Sequence, residues 1–171
     1  RMMNYFNKRI IFLNLKIHFS DYVFIDPDPQ SIHFLRQEIK TKKYTQKKVQ
    51  VIDAFLDKEK RKRKFIDGLG YCTQLWEYGP KERFTTTLDS LSTNPFLLKV
   101  HTEGNEKAIL HGGAETILKY RPNLIYSVYH RREGLFSDIA EPMRTFPNYD
   151  WYFRLHAYQG TGAFVYGIPQ D

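Results

Sequence analysis

Four residues with acid–base side chains each follow a predicted strand of this sequence. Asp26, Asp53, His101 and His130 lie at or near the end of short apolar runs that are typical of strands buried in a sheet. In an open α/β sheet, ligands bind beyond the carboxyl ends of the strands. We therefore expect these four side chains to lie on one rim of the sheet.

Asp26 ends the first of these strands, within the segment VFIDPDP at residues 23–29. A carboxylate at this point of a nucleotide-binding sheet accepts hydrogen bonds from ribose hydroxyls, because it is acceptor-only and can take two donors. A solvated aspartate at a strand end produces the same pattern. The motif alone leaves both roles open.

The apolar periodicity and the turn residues predict the elements that position these side chains. The predicted strands are 22–26, 49–55, 96–100 and 124–129, followed by an antiparallel closing pair at 151–156 and 164–168. The predicted helices are 30–41, 105–110, 114–120 and 133–144. Residues 57–80 are polar and rich in glycine, which predicts a loop with a short hairpin. The alternation predicts an α/β sheet with helices on both faces.

The first twenty residues fit two patterns. Helical spacing joins Met3, Phe6, Ile10, Leu13 and Ile17, whereas strand alternation fits 11–19 equally well. We favour a helix, because a parallel strand at Tyr22 needs a crossover before it.

Composition fits one ordinary domain over residues 1–171, with 42% hydrophobic and 16% aromatic residues. No apolar run reaches the ~18 residues of a membrane span. The single cysteine, Cys72, excludes a disulfide framework within the chain. A reducing compartment is therefore expected, either the cytoplasm or the matrix of an organelle.

The formal net charge of +7 is concentrated in two basic clusters. The first comprises Arg36, Lys40, Lys42, Lys43, Lys47 and Lys48, and the second comprises Lys58, Lys60, Arg61, Lys62, Arg63 and Lys64. Such clusters are usually solvated faces, and they also permit contact with RNA or another polyanion. A reader of RNA bases would need aromatic side chains nearby, and in sequence only Tyr44 and Phe65 are close.

Residues 97–122 read LLKVHTEGNEKAILHGGAETILKYRP and carry the most specific pattern of the chain. This segment resembles the signature of FkbM-type methyltransferases, with matches at Lys99, Glu103, Gly104, Glu106, Leu110 and Gly112. VFIDPDP, TLDSL at 87–91, VQVIDAFLDKE at 49–59 and SVYHRREGL at 127–135 resemble further parts of the family. The resemblance extends in order over residues 22–169.

The resemblance implies a Rossmann-like class I methyltransferase sheet of seven strands and S-adenosylmethionine (SAM) as methyl donor. It also implies O-methylation of a sugar, glycan or other small hydroxylated acceptor. The implied cofactor contacts are Asp26 at the ribose, Asp53 and Ala54 beside the adenine, and His101. The implied acceptor-side residues are Glu103, Tyr129 and His130, with His130 the first candidate for a general base and Glu103 the second.

Two departures from the family pattern matter. His101 stands where the family usually has aspartate, which exchanges an anion for a mostly neutral imidazole. His101, Glu103 and His130 lack a dense ligand motif, so we expect no metal site. The larger departure is the glycine-rich turn that lets the backbone approach the methionine part of SAM, because no glycine precedes Gly68.

The strand before that turn would be the central one, between the strands at Tyr22 and Phe96. Three explanations are open: the turn lies upstream of Arg1, the segment 11–19 fills the position without a SAM loop, or a partner chain supplies the strand. The chain therefore resembles an incomplete methyltransferase domain, and we expect it to be inactive alone. The alternative is a non-catalytic, methyltransferase-like subunit that has a structural or RNA-contacting role in a larger assembly.

Overall fold

The computed structural model of this chain describes residues 21–41, 48–158 and 162–171. The helix predicted over residues 3–17 and the alternative strand at 11–19 lie outside the described residues, so that choice stays open. Lys42, Lys43 and Lys47 of the first basic cluster, and the neighbouring Tyr44, lie outside them as well.

The described residues form four helices, nine strands and two short 3-10 turns. The helices are α1 (Pro29–Thr41), α2 (Glu106–His111), α3 (Ala114–Tyr120) and α4 (Gly134–Thr145). The strands are β1 (Asp21–Asp26), β2 (Lys48–Asp53), β3 (Lys62–Ile66), β4 (Gln74–Leu75), β5 (Lys81–Phe84), β6 (Leu97–Val100), β7 (Asn123–Ser127), β8 (Tyr149–Leu155) and β9 (Ala163–Pro169). The 3-10 turns are Gly70–Cys72 and Asp89–Leu91.

The strands form three sheets. β1 and β2 are parallel, β4-β3-β5 is antiparallel, and β6-β7-β9-β8 is mixed, with only the β6–β7 pair parallel. The predicted α/β class and the closing antiparallel pair, β8 with β9, are confirmed. Among the described strands, β1 pairs only with β2 and β6 only with β7. No described strand therefore occupies the central position that the family resemblance implies between β1 and β6.

Helix α1 begins at a proline and is capped by a buried aspartate. Asp28 accepts the backbone N–H of Ser31 through Oδ2 at 2.8 Å, which satisfies one of the free donors at the helix start. Its other carboxylate oxygen accepts the Thr73 hydroxyl at 2.8 Å and the Gly68 backbone N–H at 3.3 Å. Asp28 therefore ties α1 to the loop around residue 70.

The main core lies between the four-stranded sheet and the helices that follow β6. It contains Val100, Ile109, Leu110, Ile117, Leu124, Tyr126, Val128, Phe146, Tyr149, Ala163 and Val165, all buried. Gly112 brings the end of α2 against the preceding chain, because a Cβ there would lie 2.2 Å from the carbonyl oxygen of Asp57. The parallel ladder between β6 and β7 places the carboxyl ends of these strands side by side.

Residues 57–84 differ from the predicted loop with a short hairpin, because they form the three-stranded sheet β4-β3-β5. Phe65 of β3 is buried, with its ring 4.9 Å from that of Phe55. Buried Asp57 pairs with Arg61 at 3.2 Å and Arg63 at 2.9 Å. These few contacts stabilise the charged strand β3, and the pattern of apolar residues in the sequence does not predict them. In the described part of the chain no helix is long and apolar enough to cross a membrane.

Candidate functional site

The acid–base residues of the FkbM-like segment gather at the carboxyl ends of β6 and β7. The two strands are parallel, with Val100 opposite Tyr126, so the loops that follow them leave the same edge of the sheet. His101 and Glu103 follow β6, and Tyr129 and His130 follow β7. The strand predicted to reach Tyr129 ends at Ser127, which leaves Tyr129 and His130 in the loop.

Glu106, the first residue of α2, is the centre of this cluster. Its side chain is 2% exposed, and its Oε1 atom accepts the Thr102 backbone N–H at 3.0 Å and the Ser127 hydroxyl at 2.7 Å. The same oxygen lies 2.8 Å from Nδ1 of His130. A carboxylate only accepts hydrogen bonds, so Nδ1 carries the proton and donates it. This arrangement leaves Nε2 of His130 with a free lone pair.

Nε2 of His130 faces Glu103. The distance from Nε2 to Oε1 of Glu103 is 3.5 Å, too long for a strong hydrogen bond but close enough for Coulombic attraction to a protonated imidazole. The His130 side chain is 10% exposed and the Glu103 side chain 23%. One nitrogen of His130 is therefore held by the protein, and the other lies beside an acid that solvent can reach.

Aromatic rings form one side of the cluster. Nε2 of His101 lies 2.9 Å from the hydroxyl of Tyr129, and the His101 ring stacks on that of His130 at 5.5 Å. Phe164 of β9 packs edge-on against His101 at 5.4 Å and against Tyr129 at 6.3 Å. His101 thus contacts Tyr129 and His130, two of the residues that the family resemblance assigns to the methyl acceptor. Its assignment to the cofactor stays a prediction.

The other predicted pair, Asp26 and Asp53, lies at the carboxyl ends of β1 and β2, where the two residues are direct partners in the ladder. Oδ1 of Asp26 accepts the backbone N–H of Asp28 at 2.8 Å. Burial, together with the charges of Asp28 and Asp53, raises the pKa of Asp26, against the lowering effect of that hydrogen bond. Asp26 is therefore a half-buried carboxylate with one oxygen engaged by the backbone.

Asp53 is exposed and already paired. Arg83 of β5 donates from Nη1 to Oδ1 of Asp53 at 2.5 Å and from Nη2 to its backbone carbonyl at 2.7 Å. Ala54 follows and is partly buried. The structure thus brings the predicted rim residues together as two pairs, Asp26 with Asp53 and His101 with His130.

Four contributors were missed by the sequence reasoning. Glu106 counted only as a motif match, although an acid at a helix start after a glycine favours a local structural role. Ser127 and Phe164 are ladder partners on β7 and β9 and gave no signal of their own. Arg83 pairs with an acid 30 positions away. No group of three or more His, Cys, Asp or Glu side chains within residues 21–41, 48–158 and 162–171 is arranged to hold a metal ion.

Comparison with known proteins gives one informative likeness. No protein-family model and no curated protein sequence matches the chain. Among solved structures, the chain is similar to the methyltransferase FkbM from Methylobacillus flagellatus KT, with a TM-score of 0.67 and 19% sequence identity. The match covers 87% of this chain and 36% of that protein, so the chain spans little more than a third of its length. At this identity the likeness establishes the fold alone: the chain has a distant methyltransferase-like α/β fold.

Proposed function

We propose that this chain is the acceptor-side part of a SAM-dependent methyltransferase of the FkbM type, which transfers a methyl group to a hydroxyl oxygen of a sugar or another small acceptor. The observation that carries the proposal is the Glu106–His130 pair, which holds a histidine with a free Nε2 at the carboxyl ends of two parallel strands. The methyltransferase-like fold supports this enzymatic hypothesis.

The strand arrangement is compatible with a seven-stranded methyltransferase sheet. β8, β9, β7 and β6 would form one side, β1 and β2 the other, and one further strand would fill the centre. With such a strand between them, β1 and β6 would both be internal strands of one sheet. An upstream segment, residues 11–19 or a partner chain would each complete this sheet. The proposed methyl transfer requires the upstream segment, because it is the one that would bring the glycine turn.

The described residues fit part of the cofactor. Asp26 offers a second carboxylate oxygen beyond the one taken by Asp28, which suits a ribose hydroxyl. Asp53 is hydrogen-bonded to Arg83, so Asp53 would position the following residue, Ala54, beside the adenine. The methionine half has no counterpart, because the glycine turn is missing before Gly68. The chain alone is therefore expected to bind SAM weakly and not to transfer methyl groups.

His130 is the proposed general base. When bound, SAM supplies a methyl group on a positively charged sulfur, which makes alignment of the acceptor oxygen the main task of the protein. Nε2 of His130 would take the proton of the acceptor hydroxyl as the oxygen–methyl bond forms. Glu106 would stabilise the resulting imidazolium through Nδ1, and Glu103 would add a second negative charge at 3.5 Å.

The rings of Tyr129, Phe164 and His101 are the proposed acceptor contacts. The rings of Tyr129 and His101 adjoin His130, with Tyr129 and His130 centred 4.1 Å apart, and Phe164 packs against Tyr129 and His101. Aromatic rings can pack against the apolar face of a sugar, and the Tyr129 hydroxyl and the Glu103 carboxylate can form hydrogen bonds with its hydroxyl groups. This arrangement supports a small hydroxylated acceptor.

Calorimetric titration with SAM and with its demethylated product tests the cofactor assignment. The full chain and Asp26→Ala are compared with Asp21→Ala, which removes an exposed carboxylate at the opposite end of β1. Loss of a charge-assisted hydrogen bond predicts about tenfold or greater weakening for Asp26→Ala and little change for Asp21→Ala. If the affinity for SAM is the same in Asp26→Ala and in the unmodified chain, Asp26 does not bind the ribose. If neither compound binds, the result counts against a cofactor pocket in this chain.

A further inference from the structure

One face of the sheet β4-β3-β5 combines lysines with exposed aromatic rings. Lys62 and Lys64 are exposed on one side of β3, and Phe65, between Lys64 and Ile66, is buried on the other. Phe84 of β5 is the ladder partner of Lys62, and the Trp76 backbone N–H bonds to the carbonyl of Lys64, so Phe84 and Trp76 flank the two lysines. Tyr78 packs edge-on against Trp76 at 5.9 Å. We call this set the basic aromatic face, and two further lysines, Lys58 and Lys60, lie just before β3 in the chain.

Its rings are unusually exposed for aromatic side chains. Trp76 is 45% exposed, Tyr78 74% and Phe84 63%. Phe65, which the sequence suggested as an aromatic neighbour of the cluster, is instead buried against Phe55. Rings that are left in water beside cations are available for stacking with a ligand.

The charges on this segment exceed what the protein itself neutralises. Residues 57–84 hold eight basic and five acidic side chains, a net charge of +3, and Arg83 of this segment also pairs with Asp53. Lys62 pairs with Glu82, Lys81 with Asp67, and Arg61 with Glu59. Lys58, Lys60 and Lys64 form no ion pair with any residue in the described part of the chain. Three lysines are therefore free to meet an anionic partner.

The cations also line a concave surface. Arg61, Lys62, Arg63 and Lys64, together with Glu77, surround an open depression of about 470 Å³. The depression is shallow, and of the three unpaired lysines it includes Lys64, so it is the exposed rings beside the lysines that favour a nucleic acid. Duplexes keep their bases stacked inside, so exposed rings add little to duplex binding.

We infer that the basic aromatic face binds single-stranded nucleic acid. Bases stack on Trp76, Tyr78 and Phe84, and the phosphates contact Lys58, Lys60 and Lys64. Proteins that bind single strands without sequence preference combine these two features, a positively charged groove and stacking rings. The inference does not depend on methyl transfer or on SAM.

Fluorescence anisotropy with a labelled oligouridine of about 16 nucleotides tests the inference on the full chain. The first variant, Lys58→Gln/Lys60→Gln/Lys64→Gln, is matched by Lys40→Gln/Lys48→Gln/Lys119→Gln, which removes three exposed charges elsewhere. Counterion release predicts that the slope of log affinity against log salt falls by about 2 in the first variant and changes little in the control.

The second variant, Trp76→Ala/Tyr78→Ala, separates stacking from charge. It should lose about tenfold in affinity per ring while the salt slope stays near that of the unmodified chain. Equal losses in the two lysine variants, equal competition by a duplex, or binding to anionic phospholipid vesicles without binding to the oligouridine would each overturn the inference. Absence of oligouridine binding at low salt would overturn it as well.

Discussion

Nδ1 of His130 lies 2.8 Å from Oε1 of Glu106, an oxygen that also accepts the Ser127 hydroxyl and the Thr102 backbone N–H. Three donors from three different segments thus converge on one buried carboxylate oxygen. The consequence is that the orientation of His130, and the nitrogen that it presents to solvent, are fixed by the buried side chain of Glu106. Glu106 is therefore a positioning residue in this account.

Glu106→Ala should destabilise the fold as well as release His130. Removing the carboxylate leaves the Ser127 hydroxyl, the Thr102 N–H and Nδ1 of His130 without their acceptor in a buried site, at a cost of about 3 kcal/mol. Urea unfolding measures this loss. Glu115→Ala on the exposed side of α3 is the control and should change the unfolding free energy by no more than about 0.5 kcal/mol. Similar values for the two variants would contradict the central place of Glu106.

Asp28→Ala should cost stability in a pH-dependent way. Burial would raise the pKa of Asp28, but hydrogen bonds from Ser31, Thr73 and Gly68 outweigh it and hold the pKa below its usual value. A depressed folded pKa contributes stability that is fully present above the unfolded value of about 3.9 and is lost as pH falls through the folded pKa. Urea unfolding should give a loss of about 2 kcal/mol at neutral pH and a smaller one in acid. A loss that is independent of pH would point to packing instead.

SAM affinity should depend on acid pH through Asp26. Burial raises the pKa of Asp26, and the ribose contact needs the ionised carboxylate. Affinity should therefore be constant near neutrality and fall as pH drops through a pKa above the usual value of about 3.9. Calorimetry at a series of pH values measures this dependence. Asp26→Asn should bind more weakly and lose the dependence, and an unchanged pH profile in that variant would assign the effect to another group.

Tyr149 should make the fold sensitive to alkali. Its hydroxyl donates to the buried Pro122 carbonyl at 3.0 Å, and burial raises the pKa of Tyr149 to about 12, partly offset by Arg121. A raised folded pKa gives stability that is fully present below the unfolded value of about 10 and is lost as pH rises through the folded value. Tyr149→Phe should lose about 1 kcal/mol at neutral pH and show a shallower decline in unfolding free energy above pH of about 10. Parallel declines in the two proteins would contradict this assignment.

The sequence predicted the elements that carry regular apolar patterns. β1, α1, β6, α3 and the β8–β9 pair appear within two or three residues of their predicted bounds, because apolar periodicity and the flanking prolines set them. A short hairpin was predicted within residues 57–80, but the bounds of β3 and its pairing with β5 were not. The sequence of β3, KRKFI, buries a single ring, and the residues that stabilise it, Asp57 and Phe55, lie outside the strand.

The candidate site was predictable in the same partial way. His130 and Glu103 could be expected to meet, since each follows a strand that ends at the same edge. The role of Glu106 in orienting His130 could not be predicted, because an acid at the start of a helix is usually solvated. In this structure Glu106 is buried where α2 meets β7. The contact of Asp53 with Arg83 depends on a sheet that the pattern did not reveal.

The protonation of the His130 ring tests the central claim most directly. Long-range proton–nitrogen NMR on the full chain, recorded well above the ordinary titration range of histidine, identifies the nitrogen that carries the hydrogen. The account predicts hydrogen on Nδ1 and a free lone pair on Nε2. Glu106→Leu removes the acceptor of Nδ1 and should let the Nε2–H tautomer appear, while His33 and His156 serve as unaffected references. Hydrogen on Nε2 in the unmodified chain, or an unchanged tautomer in Glu106→Leu, would contradict the account.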